Sequence, residues 1–309
     1  SYGIEGDAAF QDGNTDATHL GDVIITSNYV RANGLRGIGI SNNHNQKVIL
    51  GSNIIRNHTK GAIHVDTNTG SEADIQIKDN IIAYNNSADA TVGIINIDTE
   101  GYVTIDDNDL INNGLGADSV AMISVSNGLT KYCKARNNLI NKDAIGTFSG
   151  RAMYLRGQKV DASNNTIENI ARGIHIEGSV EQIRLEDNDM KGITYQNITT
   201  NIKNLTSLPA IKSIRFKNNN ILNPTTGNRA ICDFKFSAAT IIKNVQIDSN
   251  IVDFETPSQY GRFMAFDANA TIQVAVVTNN NAPVSYNTNS PGLLFTNPPT
   301  TLLQSNNAI

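Results

Sequence analysis

The chain has no tryptophan and only two cysteines, seven prolines and five histidines in 309 residues. Two cysteines cannot make a disulfide framework. Charge is also scarce: 17% of residues are charged, the net charge is −5, and no run of basic residues stands out, so nothing marks a nucleic-acid footprint. No apolar run approaches the roughly 18 residues that would span a membrane. No charged-then-apolar leader opens the chain at Ser1, which reads as a mature form or an excised piece. Apolar residues reach only 39%, and the place of the missing ones is taken by uncharged polar residues, with 43 Asn beside 39 Ile. Disorder calls for high charge and few β-branched residues, which so much Ile contradicts. A helical bundle is disfavoured too, because Asn and Ile are poorer helix formers than Ala, Leu, Glu or Lys.

What is present is a repeat. Val23, Ile25, Asn28 and Val30 set the pattern, with apolar residues five and three before an Asn and two after it. Val48, Leu50, Asn53 and Ile55 repeat it, and further copies centre on Asn80, Asn108, Asn138, Asn165, Asn188, Asn219 and Asn250. Val274, Val276 and Asn279 form a degraded tenth copy. Apolar residues two apart predict strands with alternate side chains in one core. The earlier copies carry a second short strand after the Asn, as in Ile63-His64-Val65 and Ile174-His175-Ile176. A leucine-rich repeat would need far more Leu, and a propeller a period near 40–45 residues. The fold class read from this pattern is all-β, a single-stranded right-handed parallel β-helix (solenoid) with about ten coils and an asparagine ladder.

The aligned Asn has a mechanism. A sharp turn between sheets needs a residue in the left-handed region, which Asn tolerates. Coils stacked about 4.8 Å apart let each amide bond to the next. The column is therefore read as structural rather than sugar-binding. The pattern sets the β-helix at 1–282, with 1–21 a partial first coil, and 283–309 an irregular closing segment punctuated by Pro283, Pro291, Pro298 and Pro299. Residues 193–209 read as a protruding loop or distorted coil.

The Asn turns and the Ile/Val alternation over about residues 22–280 resemble the pectate-lyase-like right-handed parallel β-helix superfamily. It includes polysaccharide lyases, polygalacturonase-type hydrolases, epimerases and phage tailspike depolymerases. The resemblance implies a glycan-binding and glycan-cleaving protein, extracellular or on a virion, with a polysaccharide as partner. The alternative is a non-catalytic β-helix serving as a receptor-binding or structural spike domain. A homotrimer is compatible with both; neither nucleic acid nor membrane insertion is expected. No catalytic motif of the superfamily is matched residue by residue.

The interior of such a fold is filled by side chains, so chemistry must lie on an outer face. Alternation in the second strands turns out one row of Gly39, His64, Asn96, Ser124, Tyr154 and His175, and beside it a row of Ser41, Asp66, Asp98, Ser126, Arg156 and Glu177. Asp233, Lys235 and Asp267 extend this face. Two carboxylates about 5–5.5 Å apart suit retaining glycoside hydrolysis, and Asp66 with Asp98 on adjacent coils match that spacing. Elimination next to a carboxylate needs a base, an acid and a cation, which Tyr154, Arg156, His175 and Glu177 could supply. His64, Asn96, Ser124 and Ser126 are candidates for substrate binding. No cofactor and no zinc spacing is read; Ca²⁺ could bind only at Asp66 and Asp98 with loop carbonyls. Cys133 and Cys232 read as free thiols. Tyr29, Tyr84, Tyr154 and Tyr195 are the candidate aromatic sugar platforms, whereas Phe216, Phe234, Phe236, Phe263 and Phe266 are assigned to the core.

Overall fold

The computed structural model of the chain describes residues 4–5, 22–31, 36–43, 47–67, 70, 72–87, 93–115, 120–142, 150–194, 196–202, 210–222, 230–253, 262–281 and 293–307. Among these residues every paired strand is parallel, and there is no helix. One coil illustrates the rest. Ile63–Thr67 leads to Asp74–Lys78, two residues turn the chain into Ile81–Ala83, and the next coil opens at Ile95–Asp98. Repetition stacks these strands into three large sheets, and Asn86–Ser87 pairs with Gly114–Leu115 in a small fourth. The site sheet has eleven strands, from Ile4–Glu5 to Leu293–Phe295. The ladder sheet also has eleven, from Val23–Thr26 to Thr301–Ser305, and the short sheet has nine, from Tyr29–Arg31 to Ile251–Asp253.

The β-branched residues form these strands because they pack on a pleated, half-buried surface. Their inward positions stack by register: Ile63 on Ile95, Ile123, Met153, Ile174 and Ile198, all buried. The late coils hold the five assigned phenylalanines in the core, with Phe234 stacked on Phe266 at 4.8 Å between ring centres and Phe266 on Phe295 at 5.3 Å. Cys133 and Cys232 are buried free thiols, raised in pKa by burial and so held as unreactive thiols.

The ladder runs through eleven residues: Asn28, Asn53, Asn80, Asn108, Asn138, Asn165, Asn188, Asn219, Asn250, Asn280 and Asn307. At each step the backbone N–H and the side-chain Nδ2 both donate to the Oδ1 of the next Asn; for Asn80 the distances to Asn108 are 3.1 and 2.9 Å. The same Nδ2 donates back to a carbonyl one coil earlier, Leu50 in this case, at 2.9 Å.

Three expectations need correction. The left-handed residue is not the ladder Asn but the residue before it: Ser27, Ser52, Asp79, Asp107, Asn137, Asn164, Asp187, Asn218, Ser249, Asn279 and Asn306 all have φ near +50 to +60°. The ladder Asn must turn its amide inward, so its exposed neighbour takes the tight turn. Asn279 is therefore a turn residue and Asn280 the rung, with Ala275 and Val277, not Val274 and Val276, fully buried. Second, the described part of 283–309 is not irregular. Leu293–Phe295 pairs with Met264–Phe266, Thr301–Ser305 pairs with Val274–Thr278, and Asn307 extends the ladder. Third, within 193–209, Gln196–Ile202 is a regular strand of the site sheet; 203–209 lie outside the described residues.

A shorter polar column accompanies the first one. His58, Asn85 and Asn113 are buried, and Asn85 donates through its N–H and Nδ2 to Asn113 Oδ1 at 2.9 and 3.1 Å. It pins the turn after the short sheet over three coils.

Candidate functional site

The outward rows of the site sheet are aligned coil by coil as the alternation predicts. Register pairs His64 with Asn96, Asn96 with Ser124, Ser124 with Tyr154, Tyr154 with His175, His175 with Thr199 and Thr199 with Asp233. The parallel row pairs Asp66 with Asp98, and then Arg156 with Glu177, Asn201 and Lys235. Tyr195 and the side chain of Ser41 lie outside the described residues.

Four of the candidates form one connected cluster. Glu177 is its centre: Tyr154 Oη donates to Oε2 at 2.8 Å and Arg156 Nη2 to Oε1 at 2.8 Å. His175 Nε2 lies 3.6 Å from Glu177 Oε2, and its Nδ1 is 2.6 Å from Thr199 Oγ1. The Tyr154 and His175 rings are stacked, 5.4 Å apart and 6° from parallel. Arg156 also donates through Nη1 to the Ser126 carbonyl at 3.0 Å, so the guanidinium ties three successive coils together. Burial, with the Arg151 charge, lowers His175 to about 4, so the imidazole is neutral at pH 7. Burial and the bond to Glu177 raise Tyr154 to about 12, which keeps its phenol protonated. Burial works to raise the Glu177 carboxyl, but Tyr154 and Arg156 outweigh it and hold Glu177 below its ordinary value.

The remaining candidates form a second group. Asn96 Nδ2 lies 3.2 Å from His64 Nδ1, and Asn127 Nδ2 donates to Asp98 Oδ1 at 2.8 Å. Burial, then the Asp98 charge, raises Asp66, with Arg36 opposing. Burial and Arg36 lower His64 to about 4. Ser124 is nearly buried, and Ser126 turns its hydroxyl to the Ile97 carbonyl at 3.2 Å, so both line the floor between the two groups. Asp98 and Arg156 are two coils apart, about 10 Å by strand spacing. Farther along, Lys235 pairs with Asp233 at 3.1 Å, and Asp267 accepts the Phe236 N–H at 2.8 Å.

Residues 17–190 match the family described as the right handed beta helix region. The chain belongs to the right-handed β-helix family. No curated protein and no solved structure matches it.

In this right-handed β-helix, Arg151 and Arg172 are residues beside the cluster that alternation does not reach. They pair across coils at the entrance of their strands, and Arg151 lies over the Tyr154 ring at 5.5 Å from its centre. Both raise the positive charge around His175. Thr199 is the other addition, visible only through its register with His175. Among the described residues, no group of three or more His, Cys, Asp or Glu side chains is placed to hold a metal ion. No helix is long and apolar enough to cross a membrane.

The buried imidazoles make this face of the β-helix sensitive to acid. Between pH 6.5 and about 4 an unfolded chain binds protons at His64 and His175 that the folded chain refuses, so stability falls as pH drops through that window. Glu177, held low, adds stability that is lost as pH falls through its depressed pKa. Asp66 runs the other way, because its folded carboxyl keeps its proton longer than the unfolded one. The expected net result is a urea midpoint lower near pH 4.5 than at pH 7, with the drop reduced in His64→Asn/His175→Asn. An equal drop in that double variant would show that other groups set the acid sensitivity.

Proposed function

We propose that the outer face of the site sheet binds and cleaves a polysaccharide, with Tyr154, Arg156, His175 and Glu177 as the reacting cluster. The observation that carries this reading is the joining of a neutral imidazole, a protonated phenol and an arginine-bound carboxylate within one partly buried cluster. A solvated sheet face has no need of such connectivity. Elimination is the reaction that fits. His175 takes the proton from the carbon beside a uronate carboxylate, the C–O bond breaks toward the leaving oxygen, and Tyr154 gives that oxygen a proton. Glu177 orients Tyr154, and Arg151, Arg156 and Arg172 supply the positive field that favours an anionic sugar ring. The resemblance of the sequence to lyase and tailspike types supports this reading. An extended glycan would run across several coils, reaching His64, Asn96, Ser124 and Ser126.

A second reading, retaining hydrolysis at Asp66 and Asp98, is favoured by one observation: Asp66 is raised toward the protonated form that a general acid needs.

Incubation with a panel of acidic and neutral polysaccharides separates the readings. Elimination yields new reducing ends together with ultraviolet-absorbing unsaturated ends, and activity is lost in Tyr154→Phe but kept in Asp66→Asn and Asp98→Asn. Reducing ends without unsaturation, lost in the Asp variants, select hydrolysis. No new ends with any polysaccharide would reject cleavage and leave the binding or spike role.

A further inference from the structure

The ladder sheet has an outer face of its own, and two tyrosines stand on it in adjacent coils. Tyr102 pairs in register with Asp74 on one side and with Tyr132 on the other, and Thr104 pairs with Lys134. These side chains line a groove of about 270 Å³ whose floor includes Val103. Tyr102 is 47% exposed, so the core gives no reason for an aromatic there. Lys134 Nζ lies 4.7 Å from the Tyr132 ring centre and Lys131 Nζ 5.9 Å from that of Tyr102, contacts that hold the rings in place at modest energy.

The lining has the chemistry of a sugar platform. A pyranose has an apolar C–H face that is desolvated on an aromatic ring, and a rim of hydroxyls that needs donors and acceptors. Asp74 accepts one bond, from Gln76 Nε2 at 2.8 Å, and a carboxylate has capacity for several. Thr104 adds a hydroxyl and Lys134 a donor. Asp74 and Lys134, both in the lining, carry opposite charges, so the groove has no net bias toward an anion or a cation. Its volume is of the order of one or two sugar rings.

We propose that the Tyr102–Tyr132 groove is a second saccharide site, on a different sheet from the His175 cluster, that binds a neutral sugar unit of a polysaccharide. It is independent of the cleavage reading, because a β-helix that cleaves nothing can still bind here. The test is affinity electrophoresis of the folded chain through native gels cast with dextran, galactomannan, arabinoxylan, alginate or polygalacturonate. At least one of the three neutral polymers is expected to retard the protein. Tyr102→Ala/Tyr132→Ala should weaken that retardation at least about tenfold, and Tyr102→Phe/Tyr132→Phe should keep most of it. Thermal midpoints of the variants show that loss of binding is not loss of fold. Retardation by none of the neutral polymers, or retardation unaltered in the folded double-alanine variant, overturns the proposal.

Discussion

Asn138→Ala, a ladder substitution near the middle of the molecule, is expected to destabilise the protein by about 3–5 kcal/mol. The change removes four hydrogen bonds. Asn138 Nδ2 no longer reaches the Ile105 carbonyl or Asn165 Oδ1, and Asn138 Oδ1 no longer accepts from the Asn108 N–H and Nδ2. Asn108 and Ile105 are fully buried, so the orphaned N–H and C=O have no water to turn to, and each costs about 1–3 kcal/mol. Only the Asn138 N–H keeps its bond to Asn165. Asn28→Ala makes the contrast. Asn28 lies in the first described coil of the ladder and uses its Nδ2 on Thr26 O and Asn53 Oδ1 in partly exposed surroundings; a loss under about 1 kcal/mol is expected there. Urea unfolding followed by circular dichroism measures both. Because solenoids can unfold in segments, the slope of the transition must be compared along with its midpoint. A loss for Asn138→Ala no greater than that for Asn28→Ala would mean that the ladder decorates the turn rather than holding it.

The second large effect is on activity. With a polysaccharide that the protein cleaves, Glu177→Gln is expected to lower kcat/KM by at least about 100-fold, the range for removing a group that organises acid–base chemistry. Gln keeps the length and shape of Glu but not the charge that Arg156 pairs with or the strong acceptor that orders the Tyr154 hydroxyl. The loss should fall on kcat more than on KM, because the binding surface over the neighbouring coils is untouched. A structural role alone would leave the shape of the pH–rate profile unchanged; here its acid limb should shift, since Glu177 sets the charge around both Tyr154 and His175. A variant with full activity would remove Glu177 from the centre of the site.

The fold was legible in the sequence through period and the outward rows of the candidate site through alternation, and each signal failed at a definite place. Nine rungs, Asn28 to Asn250, could be aligned because two apolar residues preceded each at fixed distance. The tenth slipped by one because Val274-Ala275-Val276-Val277 offers two alternating registers, and only burial distinguishes them. The left-handed residue was misplaced for a related reason. Pairs such as Asn137-Asn138, Asn164-Asn165 and Asn218-Asn219 put two turn-forming residues side by side, and composition cannot say which one faces the core. The His58–Asn85–Asn113 column was not legible, since it lasts three coils and begins with a different residue type. In the site, Tyr154, Arg156, His175 and Glu177 followed from period two, but their bonds did not. Arg151 and Arg172 were missed because Ala152 and Gly173, the next residues, are buried and break the alternation where the chain rounds the corner into the sheet. Tyr102 and Tyr132 were not legible as a pair, because each opens its strand and only the register between coils sets one beside the other.

From amide to amide the ladder runs one way: each Asn donates to the Oδ1 of the higher-numbered rung and accepts from the lower rung. The column thus has a head and a tail, like a row of small magnets laid end to end. Anything grafted onto it, whether an added winding or another rod, must meet it in matching polarity, since two like ends would bring donor against donor or oxygen against oxygen.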